Sequence, residues 1–247
     1  MKAMILAAGL GTRLRPLTDD RPKALVEVGG RTMLEITLAR LREFGVREVI
    51  VNVHYFAEMV VEYLKAHNGF GLRVEISREE KLLDTGGGLK KAAWFFGERS
   101  KADEPFLVHN VDVISRIDFG KMLEFHRAQD ALATLAVQER ETSRYLLFNG
   151  QGQLCGRRAG DGKVEMARES GAVRALAFTG IQAISSRLLR EMKEEGAFSI
   201  INAYLRLAAQ REKICGFPAD AYYWRDLGRV ESVREAEQDM RGGALRR

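Results

Sequence analysis

The chain has 247 residues, enough for one large domain that buries roughly three-quarters of the surface its unfolded form exposes. Hydrophobic residues make up 46% and charged residues 30%, a globular balance, and no apolar run reaches the ~18 residues of a membrane span. The net charge of +5 comes from 39 basic and 34 acidic residues mixed along the chain, which excludes the concentrated basic stripe of a nucleic-acid binder and mildly favours phosphate-bearing small partners.

In chain order, residues 3–8 read as a buried strand, followed by a loop rich in glycine and basic residues. Residues 32–44 read as a helix with Leu34, Leu38 and Leu41 on one face, closed by Gly45, and residues 48–53 as a β-branched strand. A helix over 56–67, an extended 73–78, a helix over 89–96 and a buried strand over 105–113 complete an alternation that implies parallel βαβ units with right-handed crossovers. The second half predicts a helix over 118–129 and a strand over 131–138. A hairpin follows, with arms 145–148 and 153–155 around Asn149-Gly150, then a strand over 175–184. Helices over 186–195 and 200–210, a short extended 222–224, a closing helix over 230–241 and a frayed tail over 242–247 follow. With no repeat or low-complexity linker, the expectation is one continuous domain of class α/β over 1–247. It would be a three-layer, Rossmann-like, open and mostly parallel twisted sheet with helices on both faces. Cys155 and Cys215 fit free thiols in a reducing compartment, and the N-terminus lacks the layout of a signal peptide, so the expected location is cytoplasmic.

The stretch GLGTRLRPLTDDRPK (9–23) leaves the first strand and at once assembles glycines, arginines and a lysine. Around Gly9, Gly11 and Thr12 no Cβ blocks the approach of a phosphate to backbone N–H groups, while Arg13 offers a planar donor fork and Lys23 a point charge. The plainer alternative is a βα loop whose charges are simply solvated. A dinucleotide fingerprint needs a third glycine where Leu14 stands, and a Walker A loop needs Gly-Lys-Ser/Thr, so both rival phosphate motifs fail. The four histidines lack metal-ligand spacing, and no Gly-x-Ser-x-Gly elbow is present.

The run LAAGLGTRLRPLTDDRPK resembles the signature of the sugar-1-phosphate nucleotidyltransferases: Gly-x-Gly-Thr-Arg, then Pro-Leu-Thr, then a Pro-Lys pair. The resemblance continues through Thr85-Gly86-Gly87-Gly88, Asn110-Val111-Asp112, Phe178-Thr179-Gly180 and Trp224-Arg225-Asp226-Leu227-Gly228, and so covers almost the whole chain. The TGGG and FTGI stretches look most like the branch of the N-acetylmuramate-1-phosphate uridylyltransferases and mannose-1-phosphate guanylyltransferases.

This resemblance implies a glycosyltransferase-A-like nucleotidyltransferase fold, with an NTP-binding half over 1–115 and a sugar-phosphate half over 116–241. The implied partners are a nucleoside triphosphate and a sugar-1-phosphate, with no nucleic acid and no membrane. The implied reaction gives an NDP-sugar and pyrophosphate by attack on the α-phosphate, and the implied cofactor is Mg²⁺, which prefers oxygen ligands and phosphates. Carried over residue by residue, Gly9, Gly11, Thr12 and Arg13 would cradle the triphosphate, with Arg13 and Lys23 serving the reacting phosphates. Ala8, Thr85, Gly86 and Gly87 would lie at the nucleoside, Asn110, Glu165 and Gly180 at the sugar, and Asp112 and Asp226 at the metal. Read without the family, Gly86–Gly88 is a flexible turn and either aspartate a cap or turn residue.

Two departures stand out. Val111 replaces the glycine that normally precedes the metal aspartate, and VEMAR (164–168) lacks the lysine of the usual Glu-Lys-Pro stretch, leaving Lys163 or Arg168 as substitutes. The period-2 rule expects Asn110 and Asp112 on the ligand side, with Val111 turned back into the packing. A CTP-dependent phosphocholine-type cytidylyltransferase and a non-catalytic scaffold of the same fold remain alternatives, and the chain is expected as a monomer or a homodimer.

Overall fold

The computed structural model describes residues 1–97 and 103–243; the end of the expected tail, 244–247, lies outside the described residues. One ten-stranded sheet forms the middle layer. Its first half holds β1 (Lys2–Leu6), β4 (Glu48–Val53), β5 (Arg73–Arg78) and β6 (Pro105–Asn110), all parallel in the order β6-β1-β4-β5. A small hairpin, β2 (Glu27–Val28) with β3 (Arg31–Thr32), lies outside this sheet. The second half is antiparallel along its main path: β12 (Arg174–Ser185) runs against β6 and carries β9 (Tyr145–Phe148), β10 (Leu154–Arg158) and β11 (Val164–Met166) beyond it. β8 (Ala133–Gln138) joins β12, and β13 (Ile214–Pro218) joins β8 in parallel. The sheet is therefore mixed, parallel through the first half and antiparallel across most of the second.

Alternation of side chains along the strands separates two cores. Leu107 of β6 faces α1 (Met33–Glu43), α2 (Ala57–Ala66), α4 (Phe119–Ala128) and α7 (Val230–Arg241), where Leu38, Val60, Phe119 and Val233 gather. Its neighbours Phe106 and Val108 face α3 (Asp84–Lys91), α5 (Arg187–Glu191) and α6 (Ile200–Ala209), with Leu89, Leu188 and Tyr204. Local chemistry starts these helices where the sequence marks them. Thr32 accepts from Glu35 N at 3.1 Å and Asp118 from Lys121 N at 3.0 Å, each satisfying an orphan first-turn amide. The hairpin at Asn149 is held by its side-chain oxygen, which accepts from Gln151 N at 3.0 Å and Gln153 N at 2.9 Å.

Several elements differ from expectation. The helix read over 89–96 begins earlier, at Asp84, stops at Lys91, and gives way to a short 3₁₀ turn over Ala93–Phe96. The strand over 105–113 breaks after Asn110, and a separate short strand, β7 (Val113–Ser115), follows the two-residue turn 111–112. The helix over 186–195 shrinks to Arg187–Glu191. β13 lacked any alternating pattern because four of its five residues are buried, and Gly216 lies where a Cβ would meet the Phe148 ring at 3.1 Å. Among the described residues no helix is long and apolar enough to cross a membrane.

Candidate active site

The carboxyl ends of β1 and β6 are adjacent, and in an open α/β sheet the crevice outside such ends receives ligands. The chain leaves β1 through nearly buried Ala7 and Ala8 into the glycine loop. Gly11 sits in the left-handed region at φ 67°, where Leu14 N at 2.9 Å and the buried Thr18 hydroxyl at 2.8 Å both donate to its carbonyl. Leu14 is fully buried and anchors the turn, so Thr12 and Arg13 are left exposed at its crest. Lys23 returns along the inner side of the loop: a Cβ at Gly9 would lie 3.5 Å from its Nζ, and one at Gly11 3.3 Å from its Cβ.

The far end of that lysine meets Asp112. Nζ lies 2.8 Å from Oδ2, with the two side chains 15% and 10% exposed. Asp112 is delivered by the turn after β6, whose Val111 is fully buried in the core and donates its N–H to Leu6 O at 3.1 Å. The valine therefore lies away from solvent, while Asp112 reaches the lysine. β7 then pairs antiparallel with β14 (Trp224–Asp226), placing Val113 opposite Asp226, and Leu227 N donates to Asp112 O at 2.7 Å. The backbones of two aspartates remote in sequence thus lie at neighbouring positions of one short ribbon.

Arg13 and Asp226 are brought together over Gly228. A Cβ there would lie 2.7 Å from both Arg13 Nη2 and Asp226 Oδ1, and Gly228 N donates to that same oxygen at 2.8 Å. Gly228→Ala is accordingly expected to lower turnover by roughly tenfold or more, since ångström-scale displacement of catalytic groups carries that penalty. Its melting temperature should stay close to the parent's, because the displaced atoms are side-chain ends; steady-state kinetics with a thermal melt checks both.

Asn110 and Gly180 are also neighbours. β12 shifts register between Phe178 and Gln182, and in that bulge Gly180 adopts φ 82°, with Asn110 Nδ2 2.7 Å from where a Cβ would stand. The bulge is latched to β14 by Trp224 Nε1, which donates to Thr179 O at 2.8 Å, and the Arg140 guanidinium stacks 3.9 Å from the Trp224 ring centroid. Burial lowers the Arg140 pKa and nearby Asp226 opposes that shift. His109, beside Asn110, is held by burial down to about 4, so its ring is neutral at pH 7. Val111→Gly should cost roughly 2–4 kcal/mol, from a void and a freer backbone, with substrate preference unchanged. Asn110→Ala should instead raise the KM of the second substrate while melting nearly as the parent does. Melts and a substrate panel on both variants separate the two effects.

The glycine triplet is not the flexible turn of its plainer reading. Gly86, Gly87 and Gly88 are buried inside α3 rather than forming a turn ahead of it. A Cβ at Gly86 would collide with the Phe198 ring and one at Gly87 with Gly196 O; the amides of both glycines donate to Phe198 O, at 2.9 and 3.3 Å. Thr85 Oγ1 accepts from Ile200 N at 3.0 Å, so this segment fastens α3 to the start of α6. Glu165 lies exposed on the outer strand β11, paired with Arg157 at 2.7 Å; Lys163 is exposed too, and Arg168 donates to Gln153 Oε1 at 3.0 Å. The contacts of Glu165 thus run to Arg157 and not to Asn110 or Gly180. Arg140 lies in no spaced motif and gave no sequence signal, whereas Thr18 is the threonine of the Pro-Leu-Thr stretch, where only the structure shows its bond to Gly11 O.

The donor set at Asp112 and Asp226 is all oxygen. Among the described residues no group of three or more His, Cys, Asp or Glu converges. Such a donor set suits a hard cation completing its shell with water and phosphate, and Lys23 shows that the pocket accepts positive charge against Asp112.

Residues 2–153 match the Nucleotidyl transferase family, and the chain belongs to the sugar-1-phosphate nucleotidyltransferases. It is 36% identical over 246 residues to an N-acetylmuramate alpha-1-phosphate uridylyltransferase of Caulobacter vibrioides, covering 95% of each chain. It is 40% identical over 147 residues to a mannose-1-phosphate guanyltransferase of Candida albicans, covering 59% of this chain and only 40% of that one. Among solved structures, HddC from Yersinia pseudotuberculosis complexed with GMP-PN superposes with TM-score 0.76 at 22% identity, over 97% of this chain and 99% of that one. A UDP-glucose pyrophosphorylase complexed with UDP-glucose gives TM-score 0.76 at 17% identity, over 98% of each. These two likenesses establish the fold.

Proposed function

We propose that this chain condenses a nucleoside triphosphate with a sugar-1-phosphate to give an NDP-sugar and pyrophosphate. The observation that carries the reading is that charged groups flank the glycine loop in two pairs, Lys23 with Asp112 and Arg13 with Asp226 over Gly228. An oxygen of the sugar phosphate attacks the α-phosphorus in line; the new P–O bond forms as the α–β bridging bond breaks, and pyrophosphate leaves with the electron pair. Both reactants are anions, so holding them aligned and neutralising their charge supplies most of the acceleration.

The loop amides around Gly9–Arg13 bind the triphosphate, and the exposed Arg13 guanidinium takes charge developing on the departing pyrophosphate. Lys23, held inside the loop, faces the reacting phosphate. Ala8 and α3, with Thr85–Gly87 at its start, bound the nucleoside, while Asn110 and Gly180 meet the sugar phosphate. Asp112 and Asp226 would hold Mg²⁺, which supplies charge neutralisation and alignment of the phosphates when bound.

UTP with N-acetylmuramate-1-phosphate is the favoured pair, because similarity to the Caulobacter enzyme spans 95% of both chains, whereas the guanyltransferase match ends after 147 residues. Val111 gives no support to phosphocholine as acceptor, since it is buried in the core. A pyrophosphate-release screen tests the reading by crossing UTP, dTTP, CTP, GTP and ATP with sugar-1-phosphates and phosphocholine. Release with UTP and a sugar-1-phosphate is expected; release with phosphocholine alone, or with no pair at all, overturns it.

A further inference from the structure

Behind the nucleotide loop lies a buried polar chain that the reaction itself does not use. Glu79, just past β5, is 4% exposed, yet among the described residues the partners of its two carboxylate oxygens are neutral groups rather than a cation. Oε1 accepts from Asn52 Nδ2 at 2.7 Å and Oε2 from Leu83 N at 2.9 Å. Asn52, at the end of β4 and 3% exposed, turns its own oxygen to Ala7 N at 2.7 Å. A Cβ at Gly88 would lie 2.8 Å from both Asn52 Nδ2 and Glu79 Oε1, so α3 rests directly on this pair. Further bonds fix Glu79 itself: its N–H donates to Val53 O at 2.8 Å, and His54 Nδ1 lies 2.7 Å from its carbonyl oxygen.

A carboxylate buried without a counter-ion is costly and persists where several donors over-determine it. Here the donors come from two separate walls. Ala7 is where the chain leaves β1 for the glycine loop, and Leu83 with Gly88 sets the start and seat of α3. We infer that Asn52 and Glu79 are positioning residues that set the gap between these two walls, and thereby the fit of the nucleoside. The inference rests on the reading of the cleft as an NTP site and adds to it the residues that tune which base is accepted. Neither side chain need touch the nucleotide.

The polarity of the chain supplies its own test. In Glu79→Gln the new amide must turn a donor toward either Asn52 Nδ2 or Leu83 N–H, and in Asn52→Asp two carboxylates face each other. The double variant N52D/E79Q restores every bond with the central one reversed. The carboxylate introduced at position 52 then accepts from Ala7 N–H and from the side-chain amide introduced at position 79. The oxygen of that amide accepts from Leu83 N–H, and the net charge is unchanged. Each single variant is expected to weaken NTP binding and raise its KM roughly tenfold, as loss of a buried charge-assisted bond does, and to narrow the preference between bases. The kcat at saturation should move less, and the double variant should recover wild-type affinity and base preference. Calorimetric NTP binding and steady-state kinetics on the four proteins read this out.

Singles that keep wild-type KM and base preference, or a double no better than the worse single, overturn the relay. If the singles do not fold, a folded double with wild-type NTP affinity supports the relay, and a double that fails like them overturns it. A wild type that neither binds nor turns over any NTP overturns the parent reading instead.

Discussion

Asp112→Asn is expected to reduce turnover by roughly a hundredfold or more while leaving the fold intact, the scale seen when one preorganised electrostatic group is removed. The fold should survive because the local structure rests on backbone and core contacts that the substitution leaves alone. Val111 stays buried beneath the turn, and Leu227 N still donates to the Asp112 carbonyl. What disappears is the full negative charge that now holds Lys23 at 2.8 Å. An asparagine of the same shape accepts a hydrogen bond but binds a hard cation far less well. Circular dichroism and melting should match the parent to within a few degrees while pyrophosphate release collapses; near-parent activity would remove Asp112 from the catalytic machinery.

Lys23→Ala is expected to lower kcat by roughly tenfold to a hundredfold, with a smaller effect on NTP affinity. A cation beside the reacting phosphorus acts most strongly on charge that grows in the transition state, whereas the loop amides bind the ground state as well. Stability should fall too, because Asp112 is left mostly buried without its counter-ion. A loss of ~2 kcal/mol corresponds to about 4–8 °C in a chain of this size. Added Mg²⁺ should recover much of that melting temperature, since a bound cation would neutralise Asp112 in the lysine's place. A raised KM at unchanged kcat would make Lys23 a simple binding residue, and a melt insensitive to both substitution and Mg²⁺ would deny the ion pair any role in stability.

Much of the first half was legible because its signals are local. The leucines on one face of residues 32–44, Gly45 closing that helix and the β-branched run at 48–53 are patterns over a few residues, and the structure places α1 and β4 there. At the glycine loop the sequence marks the glycines and charges, while the left-handed turn at Gly11 and the return of Lys23 along its inner side come from the structure. The three-glycine run at 86–88 shows where local reading stops. Missing Cβ atoms say that something approaches closely, but not what, and here it is Phe198, the Gly196 carbonyl and the Asn52–Glu79 pair.

What the sequence by itself determined is most of the longer helices and strands and the family to which the chain belongs. Only the tertiary structure decided that Asp112 and Asp226 share one edge. Their meeting depends on β7 and β14, strands of three residues each, too short to carry a periodic signal and paired across half the chain. The seating of α3 on Asn52 and Glu79 was settled the same way, whereas the inward turn of Val111 agrees with the strand alternation already read from the sequence. Helical and strand periodicity encodes which face of an element turns inward, whereas the partner that face finds is set by packing among distant elements.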